Sequence, residues 1–232
     1  MTVWFESCAS TQIEAAKLAR QGCPSGTVVG ADEQTAGYGR QGRGWHSERG
    51  AGLYVSFVLR LALPVKDSSV LSLALGLATA DAITNLTGLV CDLRWPNDVL
   101  VGDRKCAGIL VEIERPVFVA GIGINVNQSE FPAELAALAT SLRLASGRMQ
   151  SRDQLLAGLC ESVDRFTKML VEDGPTAILD LFSRASSYVQ GKRVMVDEVE
   201  GVTDGLDPNG FLYLRRPGGA RTLIYAGGVR PA

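Results

Sequence analysis

The chain has a single histidine, and its five cysteines, Cys8, Cys23, Cys91, Cys106 and Cys160, include no C-x-x-C pair. An odd set of scattered thiols with one imidazole excludes the usual zinc ligand sets and a disulfide framework. The cysteines read as reduced, packed side chains of a cytoplasmic protein. A Ser-His-Asp or Cys-His mechanism would have to run through His46 alone. Charge of one sign is also lacking: 23 basic against 25 acidic residues give a formal charge of -2, no bulk attraction for nucleic acid or an anionic membrane. Any basic site must be local. No G-x-x-x-x-G-K-[ST] block is present, which argues against a P-loop kinase. The longest uncharged apolar-rich stretch, Ser68 to Ala80, is short for a bilayer and is interrupted by Ser72 and Thr79, so no membrane span is expected. The opening M-T-V-W-F-E has no basic region leading into an apolar core, and no export signal is expected.

What is present is 232 residues of ordinary globular composition, 46% hydrophobic and 21% charged, enough for one substantial core and a smaller module. The stretch Gly37 to Trp45, G-Y-G-R-Q-G-R-G-W, packs four glycines, two arginines and a tryptophan into nine residues. Glycine carries a backbone entropy penalty and offers nothing to pack, so this is a loop. Its N–H groups can approach an anion, Arg40 and Arg43 supply forked cationic donors, and Trp45 offers a flat face to an aromatic base.

Around that loop, Val3 to Phe5 reads as a strand, and a helix runs to about Gln21. Thr11 and Glu14 stand at capping-box spacing, so Ser10, Thr11 and Gln12 lie at a helix N-terminus, free either to cap it or to meet a polar ligand. Thr27 to Asp32 and Leu53 to Leu61 read as strands, and Ser68 to Leu86 as a mostly buried helix. Cys91 to Trp95 is a strand stopped by Pro96, with Val99 to Val101 and Cys106 to Ile113 as arms of a hairpin around G-D-R-K. Pro116 to Val126 is an apolar strand with glycines where something approaches closely. Helices follow from Ser151 and from about Thr176 to Val189. Beyond Gly191, short strands separated by Gly and Asp-Pro-Asn-Gly turns read as a barrel-like sheet of about four strands. These readings give an α+β layer fold, with residues 1–188 as a main domain and 189–232 as a small β domain.

Six blocks, S-T-Q at 10 to 12, Gln34, G-Y-G-R-Q-G-R-G-W at 37 to 45, R-W-P-N-D at 94 to 98, R-K-C-A-G at 104 to 108 and G-I-G-I-N at 121 to 125, resemble the biotin protein ligases in order and spacing over nearly the whole chain. The resemblance implies a mixed or antiparallel central sheet flanked by helices, akin to class II aminoacyl-tRNA synthetases, and a small C-terminal SH3-like β-barrel. It implies two steps. Biotin's carboxylate attacks the α-phosphate of ATP, with Mg2+, and a lysine of a biotin carboxyl carrier protein then displaces AMP. By the same resemblance Ser10, Thr11, Gln12 and Gln34 bind the biotin head, with Tyr38, Gly39 and Gly108 shaping the pocket. Arg40 and Lys105 hold the α-phosphate and carboxylate and are the catalytic candidates. Arg43, Trp45, Arg94, Asn97, Asp98 and Asn125 match the nucleotide side. Trp95 and Pro96 are equally well read as residues that end and pack a strand. Tyr38 departs from the arginine common in the family.

Many relatives carry an N-terminal DNA-binding domain; here the catalytic pattern starts by Trp4 to Thr11, so no operator binding is expected. Monomer or homodimer is left open. Two alternatives stand beside this reading: a lipoate or octanoate ligase of the related fold, and a non-catalytic biotin-binding protein.

Overall fold

The computed structural model describes residues 1–232. In chain order the elements are β1 (Thr2–Phe5), α1 (Thr11–Arg20), β2 (Thr27–Ala31), β3 (Gly52–Leu59), α2 (Ser68–Thr87), β4 (Cys91–Arg94), β5 (Asp98–Val101), β6 (Arg104–Glu114) and β7 (Val117–Asn125). After these come α3 (Ala133–Ala136), α4 (Leu142–Ser146), α5 (Arg152–Glu172), α6 (Pro175–Arg184), and five strands, β8 (Gln190–Val196), β9 (Val199–Leu206), β10 (Leu212–Arg215), β11 (Arg221–Ile224) and β12 (Val229–Pro231).

Seven strands form one mixed sheet in the order β1-β2-β3-β7-β6-β5-β4. Only the β1–β2 pair is parallel; every other neighbour runs antiparallel. The register gives the two faces different jobs, because side chains alternate across a strand. Val55, Phe57, Ile122, Ile124 and Ile109 point to one face and join the main core. Tyr54, Ser56, Gly121, Gly123 and Gly108 share the other, because Tyr54 pairs with Gly123, Ser56 with Gly121, and Gly108 with Gly123.

On the core face lies α2, apolar all round and buried over Val70, Leu71, Leu73, Ala74, Leu75, Leu77 and Ala78. By length and composition it is a helix long and apolar enough to cross a membrane, running on to Thr87 beyond the stretch noted from sequence. It is packed between the sheet and the stripe Leu155, Leu159, Val163, Phe166 and Leu170 of α5. Thr79 stays in this apolar setting by donating to Leu75 O, 2.7 Å away. On the opposite face α1 seals a small cluster, Ala15, Ala19, Cys23, Val29, Val58, Val117 and Val119. That cover ends with α1, so the strands beyond its N-terminus are open.

The C-terminal strands differ from the expected barrel. There are five of them, in the antiparallel order β11-β10-β9-β8-β12, and the ladder is open, with β11 and β12 at its two edges. Val194, Val196, Leu212, Leu214 and Val229 from this sheet belong to the same apolar cluster as the main core. The turn ending at Gly210 is tied to the main sheet by Trp95, whose Nε1 donates to Gly210 O at 2.9 Å, and to the start of α2 by Ser69, whose hydroxyl donates to Asn209 O at 2.5 Å. The second long helical stretch stops at Arg184, not near Val189, which is buried just before β8.

Candidate active site

The open part of the second face is a cleft of about 150 Å3. Its floor is backbone. A methyl group on Gly123 would stand 2.6 Å from Trp45 Cε2, and one on Gly108 would stand 3.0 Å from Trp45 Cζ3. At Gly121 a methyl would come within 2.7 Å of Gln12 Oε1. The period-two alternation G-I-G-I in β7 therefore supplies core on one side and a bare floor on the other.

At one end, the N-terminus of α1 meets β3. The helix cap is Ser10, one residue earlier than the capping-box spacing suggested: its hydroxyl accepts from Gln12 N at 3.3 Å. Thr11 is thereby free. Its N–H donates to Gln34 Oε1 at 2.8 Å and its hydroxyl lies 2.9 Å from Ser56 Oγ. Ser56 donates onward to Gln12 Oε1 at 3.0 Å, and Gln12 Nε2 donates to Val119 O at 2.9 Å. The Thr11 hydroxyl also donates to Gln34 Oε1 at 3.1 Å, so Gln34, Thr11, Ser56 and Gln12 form one connected row. Ser10, Thr11, Gln12 and Ser56 are all buried, so the network is a rigid polar end wall.

At the other end the charges gather. Asp98, at the start of β5, accepts from Arg94 Nη2 at 2.8 Å and from Lys105 Nζ at 2.5 Å. Burial works to raise the Asp98 pKa, but Lys105 and Arg94 outweigh it and hold the carboxyl below its ordinary value. Lys105 is the second residue of β6 after the hairpin turn, and its backbone is held by Leu138 O and Thr140 N. Its ammonium lies 5.2 Å from the Trp45 ring, a cation–π distance. Arg40 donates to Asn97 Oδ1 at 3.2 Å and to Gly227 O at 3.4 Å, so the tail leading to β12 reaches the site. Burial lowers the Arg40 pKa, with Asp98 pulling it back up.

The glycine loop closes the top. Gly39 N donates to Arg43 O and Trp45 N to Gly37 O, both at 2.8 Å, which folds residues 37–45 into a hairpin with a 3-10 turn at Arg40–Gly42. Gln41 sits at φ 58°, the left-handed region, at the tip of that turn. The indole of Trp45 lies over Gly108 and Gly123, and its Nε1 is buried without a partner.

A model of the biotin/lipoate A/B protein ligase family matches residues 4–129, more than half of the sequence. The chain belongs to the biotin/lipoate A/B protein ligase family. Among this family's members it is 35% identical to the biotin--[acetyl-CoA-carboxylase] ligase of Mycobacterium tuberculosis, over 88% of this chain and 78% of that protein. It is 34% identical to the bifunctional ligase/repressor BirA of Bacillus subtilis, over 97% of this chain and 72% of that one. The solved biotin protein ligase of Aquifex aeolicus in complex with biotin and ATP superposes with a TM-score of 0.88 at 30% identity, covering 100% of this chain and 99% of that chain.

Of the site residues expected for a ligase of this family, Ser10, Thr11, Gln12, Gln34, Tyr38, Gly39, Arg40, Arg43, Trp45, Asn97, Asp98, Lys105 and Gly108 all line the one cleft. Two do not. Arg94 turns to Asp98 and lies over the Tyr188 ring, 6.0 Å from its centre, while Asn125 is buried and donates to Thr140 O at 3.1 Å. Both stand behind the site. Trp95 and Pro96 serve both readings given them, since they line the cleft and Trp95 is anchored in the core. His46 is outside the cleft, edge-on to Phe131 with ring centres 6.4 Å apart. Sequence reasoning placed Gly121 and Gly123 in a block of close approach but missed Ser56, Gly227 and Gly228. The signal for Ser56 was present: the one small polar side chain inside L-Y-V-S-F-V-L, a strand buried at every position.

Proposed function

We propose that this chain is a biotin protein ligase: it activates biotin with ATP to biotinyl-5'-AMP, releasing pyrophosphate, and passes the biotinyl group to a lysine of a carrier domain. One observation carries the assignment to named residues. A fixed row of neutral hydrogen-bonding groups stands at one end of a backbone-floored cleft, and a cluster of Arg40, Lys105 and Asp98 stands at the other. A ligand with a neutral polar head and an anionic tail fits that polarity.

Thr11, Gln34 and Ser10 would hydrogen-bond the ureido head, with Gln12 and Ser56 holding them in place. A carboxylate is already ionised at neutral pH, so the first step requires no general base. It requires cancellation of charge as carboxylate and triphosphate meet. Lys105 and Arg40 face that point, and the released pyrophosphate carries away the electron pair of the broken P–O bond. Arg43, Trp45 and Asn97 would take the nucleotide, Trp45 offering its unpaired Nε1–H as a donor. Asp98 would hold Lys105 until phosphate replaces it. Arg94 is assigned to orienting Asp98, not to touching ATP.

Magnesium is proposed as the ion that accompanies ATP. No group of three or more His, Cys, Asp or Glu side chains is placed to hold a metal, and the only carboxylate lining the cleft is Asp98. The phosphates would therefore be its main ligands. The acceptor is proposed to be the biotin carrier domain of an acyl-CoA carboxylase in the cytoplasm. The division into 1–188 and 189–232, with the latter an opened SH3-like module, is part of the same proposal.

The test is ATP–pyrophosphate exchange with biotin, lipoate or octanoate. Exchange that requires biotin is the expected result; exchange with lipoate or octanoate would overturn the assignment of the end wall, and none with any acid would make the protein a binder.

A further inference from the structure

The glycine loop is hydrogen-bonded mainly to itself, and apart from the Trp45 indole packed on Gly108 and Gly123 its attachments to the rest of the protein are a few side-chain hydrogen bonds. Gln34 Nε2 donates to Ser47 Oγ at its base, 3.1 Å away. Arg40 reaches Asn97 and Gly227. Tyr38 donates its phenol hydroxyl to Glu112 Oε2 at 3.1 Å. These three attachments do not have equal standing once a ligand is bound. In the reading above, Arg40 turns to the phosphate, so it gives up the contacts that now fasten the loop. Glu112 is not among the residues lining the cleft, so its bond to Tyr38 can persist with the site full.

Glu112 stands opposite Val119 in the β6–β7 register and therefore on the cleft face of the sheet, beyond Leu110. It is the fixed half of the pair, because β6 at Glu112 is held in the ladder with β7 opposite Val119. Tyr38 is the loop half, bridged within the loop only to Gly44.

From this arrangement we propose that the Tyr38–Glu112 hydrogen bond is a latch that holds the glycine loop down on β6 and sets how long biotin and its adenylate stay enclosed. The proposal rests on the biotin ligase reading for the ligand, and on geometry alone for the loop. A tyrosine at this position fastens the loop without placing another cation beside the phosphate site, a different solution from the arginine common in the family. Burial, reinforced by Glu112, pushes the Tyr38 phenol up to about 12, so it remains a donor across the working pH range. Tyr38 is a positioning residue here: it acts through the loop and on the ligand's rate of escape.

The experiment follows loop opening in the ligand-free protein by tryptic cleavage after Arg43, which is exposed, and after Arg40. Removing one hydrogen bond of this kind should accelerate cleavage about three- to tenfold in Tyr38→Phe. Glu112→Ala should match it, the double variant should be no faster than either single one, and Glu112→Gln, which keeps a carbonyl acceptor, should return towards wild type. Biotin should leave Tyr38→Phe faster by a similar factor, with the global melting temperature unaltered. Additive effects of the two substitutions, a wild-type cleavage rate in Tyr38→Phe, or faster cleavage with a lowered melting temperature and no rescue by Glu112→Gln would each overturn the latch. If the cleavage pattern holds but the wild type neither binds biotin nor shows biotin-dependent exchange, the latch stands and the ligand assignment falls.

Discussion

Gly123→Ala is expected to damage binding while sparing the fold, and its neighbour Ile122→Ala to do the opposite. The added methyl would lie 2.6 Å from Trp45 Cε2 and 2.7 Å from Trp45 Nε1. Ordinary carbon contacts are about 3.5–4.0 Å, so the indole must retreat by roughly 1 Å or the ligand must rise off the floor. A misplacement of that size costs up to about 10²-fold in a positioned reaction. We expect the biotin dissociation constant to rise about 10- to 100-fold, the equivalent of roughly 1.4–2.8 kcal/mol. Stability should change by no more than about 1 kcal/mol, because alanine replaces glycine in a strand whose side chain here meets a cleft. Ile122 is 1% exposed and faces the main core, so its truncation should remove about 2–4 kcal/mol. Calorimetric biotin titration and urea unfolding of both variants make the comparison. If Gly123→Ala unfolds as readily as Ile122→Ala yet binds biotin like the wild type, the assignment of the two faces is wrong.

Three further outcomes follow from the site. Lys105→Ala should lower kcat/KM for biotin adenylation about 10²- to 10³-fold, measured by pyrophosphate exchange. Its melting temperature should barely move, since Asp98 keeps Arg94 at 2.8 Å; unchanged exchange would remove Lys105 from the chemistry. Ser56→Ala leaves Gln12 Oε1 buried without its donor and removes the hydroxyl beside Thr11, so unfolding should cost about 1–3 kcal/mol less and biotin should bind more weakly, both by titration and urea melt. Asp98 has a depressed pKa, so its contribution to stability is present above its unfolded value near about 3.9 and disappears as pH falls through the lower folded value. Asp98→Asn should flatten the acid side of the stability profile below about pH 4, and a slope identical to wild type there would contradict the ion-pair assignment.

The parts of this molecule legible in the sequence are those where one local rule decides. The Ser68 helix and the β7 strand announced themselves by apolar periodicity, and residues 37–45 by a composition that no regular element tolerates. The cap at Ser10 was misjudged by one residue, because Thr11 has the right spacing to Glu14 but is recruited by Gln34 and Ser56, 23 and 45 residues away. Ser56 was passed over for the same reason: its partners are brought by tertiary contact, and within its own strand it only interrupts an apolar run. Arg94 and Asn125 carry the chemistry of nucleotide ligands, yet the fold spends one on Asp98 and the other on Thr140 O. Strand count and closure of the C-terminal sheet were the least legible, since short Gly-bounded strands specify turns but leave open whether the first and last strands meet.

The bare floor also limits how this site could be reshaped. At Gly108, Gly121 and Gly123 there is no side chain left to trim, and the residues behind them, Ile122 and Ile124, belong to the core. Room for a bulkier acid cannot be dug downward. It would have to come from the rim, by shortening Trp45 or Leu110 or by letting the loop ride higher. Broader substrate range and tighter closure therefore draw on the same few ångströms of loop travel, and a variant selected for one should lose some of the other.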